Sequence, residues 1–168
     1  MIMNRHLREN ILIMLTFLIA MALMILPLPH WALYARPQWV FVVLLFWLIY
    51  APRKVGPFIA WCIGLYVDLL MGDLLGEHAL IFVLFSYVVQ RYLRVIQAMP
   101  VWQQTLAVGV GTFLCITLEL LLLKLTHTPV LNWSMLLSVI ANMVVWPWLY
   151  FLCRDVRPTH DYRLLHSR

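Results

Sequence analysis

Charged residues are scarce in this chain of 168 residues, because Asp, Glu, Lys and Arg together make up only 11% of it. Water-soluble domains carry about 25% charged and about 45–50% apolar residues. Here 64% of the residues are hydrophobic and the mean hydropathy is +0.90. This composition excludes a water-soluble fold and indicates a membrane protein. The length fits one compact domain and leaves little chain for a second domain outside the bilayer.

Cysteine is also rare. Cys62, Cys115 and Cys153 stand alone in or beside apolar runs, without a C-x-x-C pair or a histidine at ligand spacing. The six histidines are dispersed. The sequence therefore predicts no disulfide framework, no metal site and no cofactor. The formal net charge is +5, but the basic residues are scattered between apolar runs rather than clustered, which favours topology signals at a membrane face over nucleic-acid binding.

Apolar runs separated by short polar segments predict an all-α fold, a single transmembrane domain built as a bundle of six helices. The predicted spans cover residues of about 11–28, 38–51, 57–71, 79–96, 101–125 and 135–153. The second run is only about 20 Å long as a helix. It can cross a bilayer only if the bilayer thins, if its ends extend into the flanking residues, or if other parts of the protein cover it.

The basic residues predict the orientation of the six helices. Two of them, Arg36 and Lys124, fall in the segments predicted to be outside. The segments predicted to be inside hold Arg5, Arg8, Arg53, Lys54, Arg91, Arg94, Arg154, Arg157, Arg163 and Arg168. Because short cytoplasmic segments are enriched in Lys and Arg, both termini are predicted to be cytoplasmic.

The most informative stretch is residues 64–76, in which Gly64, Asp68, Gly72 and Gly76 recur at four-residue spacing. On one continuous helix these residues would form a stripe that lets a second helix approach closely. A carboxylate within an apolar span is costly and marks a candidate functional site. The alternative is that Asp68 stays hydrated near the membrane surface and that Gly72 and Gly76 only shape a turn.

The predicted topology brings further polar residues towards the outer leaflet. Asp68 and Glu119 both fall in the outer halves of their spans, and Asn142 lies beneath them, where it favours a helix–helix hydrogen bond over a ligand contact. Arg36, at the outer start of the second span, is predicted to pair with Asp68 across a hairpin of the second and third spans. The alternative is that Arg36 reaches lipid phosphates.

Aromatic residues and proline in the last two spans have simple interpretations. Trp102, Trp146 and Trp148 are predicted to anchor the chain at the membrane interface. Pro147 favours a packing kink over a hinge.

Three classes of function remain open on composition alone. The glycine stripe favours a membrane scaffold that binds other helices. The outward cluster of Asp68, Glu119 and Asn142 favours a small-molecule carrier or a lipid-binding subunit of a transporter. An intramembrane enzyme using Asp68 or Glu119 has weaker support, because no nucleophile, histidine–carboxylate pair or metal cluster is evident beside these carboxylates.

The chain resembles a known family over residues of about 26–158. The shared motifs, taken in order, are Arg36-Pro37-Gln38-Trp39, Trp47, Pro52, Gly64/Asp68/Gly72/Gly76 with Leu75 and Ala79-Leu80, Trp102-Gln103-Gln104, and Asn142 with Trp146-Pro147-Trp148. These residues are similar to those of the rod shape-determining protein MreD family of Gram-negative bacteria. Two acidic residues of the outer loop, Asp73 and Glu77, are not part of that pattern.

The resemblance implies a multi-pass protein of the bacterial inner membrane without enzymatic activity. It implies a scaffold of the cell-elongation machinery that binds MreC and acts with MreB and the peptidoglycan polymerase and transpeptidase. It also implies a fold similar to the substrate-binding subunits of energy-coupling-factor transporters. The expected binding residues are Arg36, Trp39, Asp68, Gly72, Gly76, Glu119, Asn142, Trp146 and Pro147, with membrane lipids around them.

Overall fold

The computed structural model describes residues 5–26, 37–72, 75–126 and 135–153. These residues form seven helices and no strand, so the described part of the chain is all-α. The helices are α1 (Arg5–Ile25), α2 (Trp39–Tyr50), α3 (Pro57–Met71), α4 (Glu77–Arg91), α5 (Leu93–Ala98), α6 (Val101–Thr126) and α7 (Met135–Leu152).

Local sequence explains several helix boundaries. Pro57 occupies the first turn of α3, where its missing N–H leaves no hydrogen bond unmade. Gly72 ends α3 in the left-handed conformation. The predicted fourth segment is divided, because the chain leaves helical geometry at Tyr92 and resumes in the short helix α5.

Helix α2 forms the centre of the bundle. It packs against α1, α4, α5, α6 and α7, and every residue from Val40 to Tyr50 is buried. An apolar helix that is hydrophobic all round is stable only where every side is covered. The structure therefore shows one of the three conditions given above for this short helix, namely that other parts of the protein cover α2.

Helix α3 packs mainly along α4 rather than along α2. The expectation that the second and third helices form a packed hairpin is therefore wrong. Gly64 explains the choice of partner, since a Cβ atom at this position would overlap the backbone of His78 and Ala79 at the start of α4. Helices α6 and α7 also come close at Gly109, where a Cβ would lie 2.7 Å from the sulfur of the flexible Met143 side chain.

The outer surface of the bundle is apolar. Large exposed hydrophobic side chains lie on α1, α3, α4, α6 and α7, including Leu18, Leu69, Leu84, Phe113 and Val144. Water-soluble monomers rarely expose apolar patches beyond a few hundred Å². A surface of this kind is typical of a protein surrounded by lipid.

Two described helical stretches, Leu7–Ile25 and Val101–Leu122, are long and apolar enough to cross a membrane. Shorter apolar stretches are Trp39–Tyr50, Pro57–Met71 and Leu137–Leu152. A 15-residue helix is about 22 Å long, which is less than the roughly 30 Å of a bilayer core. Length alone therefore identifies two candidate spans.

The side-chain contacts define two ends of the bundle. We call the end that holds Asp68 and Glu119 the acidic end. The other, which holds the 51–56 turn and α5, is the basic end. At the basic end Lys54 forms an ion pair with Glu9 at 2.6 Å. The Tyr50 hydroxyl there donates to Gln104 Oε1 at 2.8 Å, which ties the end of α2 to the start of α6.

Candidate functional site: a buried polar network at the acidic end

The side chain of Asp68 binds the turn between α3 and α4. This side chain is buried, and its Oδ2 accepts a hydrogen bond from the Gly76 N–H at 2.8 Å. Its Oδ1 accepts from the His78 N–H at 2.9 Å and lies 2.9 Å from His78 Nδ1. A carboxylate from the last turn of α3 thus receives the backbone donors at the N-terminus of α4, where helices favour negative charge.

The glycines of this turn are needed for their backbone conformation. Gly72 and Gly76 have φ angles of 72° and 103°, in the left-handed region that side chains disfavour. A Cβ atom on either would meet no other atom within 4 Å. The expectation that the glycines from Gly64 to Gly76 lie on one continuous helical stripe is therefore wrong. Only Gly64 gives a close helix approach, whereas Gly72 and Gly76 shape the turn.

The burial of Asp68 also decides against its hydration near the surface. The Asp68 side chain is 0% exposed, and its described partners belong to its own helical hairpin. Arg36 lies outside the described residues. Its pairing with Asp68 therefore stays a prediction.

His78 extends the network from Asp68 towards α6. Its Nε2 lies 3.8 Å from Glu119 Oε1, while Nδ1 faces Asp68. Glu119 Oε1 also accepts a hydrogen bond from Gln38 Nε2 at 3.1 Å and one from the Cys115 thiol at 3.2 Å. The His78 imidazole therefore lies between two carboxylates on different helices, and the Gln38 amide binds the second of them.

Asn142 joins α7 to the same network. Its Oδ1 accepts from the backbone N–H of Gln38 at 3.0 Å, and its Nδ2 donates to Thr112 Oγ1 at 3.0 Å. Thr112 in turn donates to the Val108 carbonyl at 2.9 Å. The N–H of Gln38 precedes α2, so Asn142 satisfies a donor at the start of a buried helix. Asn142 thus makes the helix–helix contacts that its position favoured.

The structure brings Asp68, Glu119 and Asn142 into one network and leaves other expected site residues outside it. Trp39 is partly buried and packs against the apolar core. Pro147 lies within α7, and its neighbour Trp146 is fully buried.

The burial of Trp146 corrects one expectation. Its ring packs near Phe46 with a centroid separation of 6.2 Å, and its Nε1 has no hydrogen-bond partner among the described residues. The expectation that Trp146 anchors the chain at the membrane interface is therefore wrong. Trp102 and Trp148, in contrast, are 64% and 77% exposed.

Two members of the network, Gln38 and His78, were not expected as site residues. Gln38 is the polar residue that directly precedes the buried apolar run of α2, a position where a helix N-terminus needs partners. His78 lies two residues after Gly76, in the first turn of α4. Its return to Asp68 depends on two positive φ angles in the turn, which residue types alone do not specify.

A small cavity opens beside the network. Its volume is about 60 Å³, and its lining residues are Met24, Gln38, Val40, Phe41, Val67, His78, Phe82 and Glu119. The buried Oε1 of Gln38 has no hydrogen-bond partner among the described residues. Pockets for small organic ligands usually measure about 300–1,000 Å³. The cavity therefore has room for one or two water molecules rather than for a metabolite.

Chemically, the network satisfies polar groups at helix ends. The carboxylate of Asp68 neutralises the backbone donors of a turn, and Gln38 connects α2 to both α6 and α7. No group of three His, Cys, Asp or Glu side chains in the described ranges could hold a metal ion. The network therefore fixes the mutual position of α2, α3, α4, α6 and α7 at one end of the bundle.

Comparison with known proteins identifies the family. The model of the family described as rod shape-determining protein MreD matches residues 4–156. The rod shape-determining protein MreD of Haemophilus influenzae is 31% identical over 141 residues, which cover 84% of this chain and 87% of that protein. No solved structure matches the chain significantly. On the family match and this relative, the chain belongs to the MreD family of rod shape-determining proteins.

Proposed function

We propose that this protein is a multi-pass inner-membrane scaffold of the cell-elongation machinery, which binds MreC and supports rod shape and lateral peptidoglycan synthesis. Membership of the MreD family supports the part in rod shape determination. The machinery would also include MreB and the peptidoglycan polymerase and transpeptidase. In this role the bundle acts by binding other membrane helices and carries out no chemistry of its own.

The hydrogen bonds that the buried polar groups make within the protein are the main support for this proposal. The carboxylate of Asp68 accepts two backbone N–H groups of its own turn, and Asn142 holds the start of α2 against α6. Such contacts make a rigid bundle end. The surface left for partners is the apolar outer face of the helices, which suits association with other helices within a membrane.

The orientation proposed from the charges agrees with the arrangement of the ends. The 51–56 turn and α5 share the basic end, and several exposed aromatic side chains lie near the helix ends there. They are Phe58, Trp61, Tyr92, Trp102 and Trp148. Because Trp and Tyr concentrate at both membrane interfaces and Lys and Arg in short cytoplasmic segments, the basic end would lie at the cytoplasmic boundary and the acidic end at the periplasmic boundary. In this arrangement the six long helices all cross the membrane, in a bundle similar to the substrate-binding subunits of energy-coupling-factor transporters.

The second candidate function is a small-molecule or lipid-binding subunit of a transporter. The cavity at the acidic end favours it, because Gln38, His78 and Glu119 converge there above the apolar side chains of Phe41 and Phe82. The volume of about 60 Å³ speaks against a metabolite in this conformation. The scaffold is therefore the better supported of the two.

Depletion in a rod-shaped host tests the proposal. Loss of the protein should round the cells, and the tagged protein should co-purify MreC from solubilised membranes. Reporter fusions after Arg157 should read cytoplasmic, and fusions within residues 72–78 should read periplasmic. Normal rods after depletion, or saturable uptake of a metabolite that depends on this chain, would contradict the scaffold. A periplasmic reading after Arg157 would contradict the orientation.

A further inference from the structure

We propose that the corner between α4 and α5 binds the headgroups of anionic phospholipids. We call its exposed surface, formed by Arg91, Tyr92, Arg94 and Val95, the α5 face. The inference rests on the proposed orientation, in which the basic end faces the cytoplasm. It adds a specific lipid contact to a protein whose proposed role concerns protein partners.

First, helix α5 packs against the bundle with one side and leaves the other side exposed. Leu93 and Ile96 pack against the core, and Gln97 Nε2 donates to the Ile49 carbonyl at 2.6 Å. The opposite side of this short helix, with Arg94 and Val95, is exposed. Tyr92 alone separates the two helices, so the exposed Arg91 at the end of α4 is three residues from the exposed Arg94.

The second step is the mixture of chemical groups on this surface. Two guanidinium groups flank a tyrosine that is 58% exposed and a valine that is 55% exposed. Neither Arg91 nor Arg94 forms an ion pair with another described residue. Lys54 on the nearby turn, in contrast, is paired with Glu9. Basic and apolar side chains on one helical surface are typical of segments that lie in the headgroup region.

The third step is the depth of the surface. The α2–α3 turn contacts the end of α4, because a Cβ on Gly56 would lie 3.8 Å from Gln90 Nε2. Trp102 and Trp61, both exposed, belong to the same end of the bundle. Exposed tryptophans mark the membrane–water boundary, so Arg91 and Arg94 lie at the level of lipid phosphates. Arginine binds phosphate oxygens through two parallel hydrogen bonds.

Lipid binding by the full chain tests this inference. The protein is reconstituted in nanodiscs of phosphatidylethanolamine with a rising fraction of phosphatidylglycerol, and retained lipids are counted by mass spectrometry. One basic residue near an anionic surface contributes about fivefold to affinity, so Arg91→Gln with Arg94→Gln should lower the preference for phosphatidylglycerol about 30-fold. Arg91→Lys with Arg94→Lys should retain most of it.

A control of equal charge removes Arg8 and Lys54 by replacement with glutamine. Equal loss of preference in this control would overturn the inference, because net charge alone would then explain the binding. An unchanged preference in the Arg91/Arg94 glutamine variant would overturn it too. Co-purification of MreC with each variant separates these outcomes from a failure of the scaffold proposal.

Discussion

Replacing Asp68 by alanine is the most direct test of the polar network. The change leaves the N–H groups of Gly76 and His78 and the His78 ring nitrogen without the carboxylate that they contact at 2.8–2.9 Å. The site is buried, so water cannot replace the lost acceptor without a rearrangement of the turn. We expect the start of α4 to separate from the end of α3.

The magnitude follows from the contacts. Each buried donor left without a partner costs about 1–3 kcal/mol. Asp68→Ala leaves two buried backbone donors unpaired, which together cost about 2–6 kcal/mol. We expect a loss of that size for Asp68→Ala. Asp68→Asn keeps one acceptor oxygen but turns an amide donor towards a second donor, and should lose about 1–3 kcal/mol.

Thermal unfolding of the purified chain in a mild detergent provides the measurement, with rod shape in a complemented depletion strain as the second readout. Glu9→Gln is the matched control, since Glu9 is a carboxylate at the opposite end whose partner Lys54 is partly exposed. That change should cost less than about 1 kcal/mol. An Asp68→Ala protein that unfolds with the control would refute the structural role of the network.

The remaining predictions concern helix packing and are measured by the same unfolding assay. Gly72→Ala should destabilise the protein by about 1–2 kcal/mol, because a side chain is strained at a positive φ, and Gly72→Asn should do less harm. Gly64→Ala should be more damaging than Gly72→Ala, because its Cβ would overlap the backbone of α4; equal effects of the two alanines would contradict this. Trp146→Ala should cost about 3–5 kcal/mol, as for other buried aromatic residues. Trp148→Ala should change stability by less than about 0.5 kcal/mol; the reverse order for the two tryptophans would contradict the burial of Trp146.

The helical segments could be predicted from the sequence because apolar runs and prolines act locally. The third helix begins at Pro57 and ends at Met71, at the limits given by proline and glycine. The break at Tyr92 could not be predicted in this way. No proline or glycine lies between Glu77 and Met99, and the break at Tyr92 accompanies contacts of α5 with α2.

Only some residues of the polar network could be predicted from the sequence, for a related reason. Asp68 and Glu119 can be predicted as site residues, because carboxylates are unusual in apolar runs. Gln38 and His78 lie at helix starts, where polar residues are common and carry little information. Their role depends on which helices pack together. Helix α3 can pack closely against α4 because Gly64 has no side chain.

The position of α2 shows why polar groups are needed at both ends of this bundle. Apolar side chains pack without strong directional preference, so an all-apolar helix could slide along its neighbours by one turn, about 5.4 Å, at a moderate cost. Hydrogen bonds join α2 to α6 at two places: Gln38 binds Glu119 at the acidic end, and Tyr50 binds Gln104 at the basic end. A slide of one turn would break both of these pairs and would also leave the N–H of Gln38 without Asn142. The buried apolar surface therefore stabilises α2 inside the bundle, whereas the polar residues at its two ends select its register.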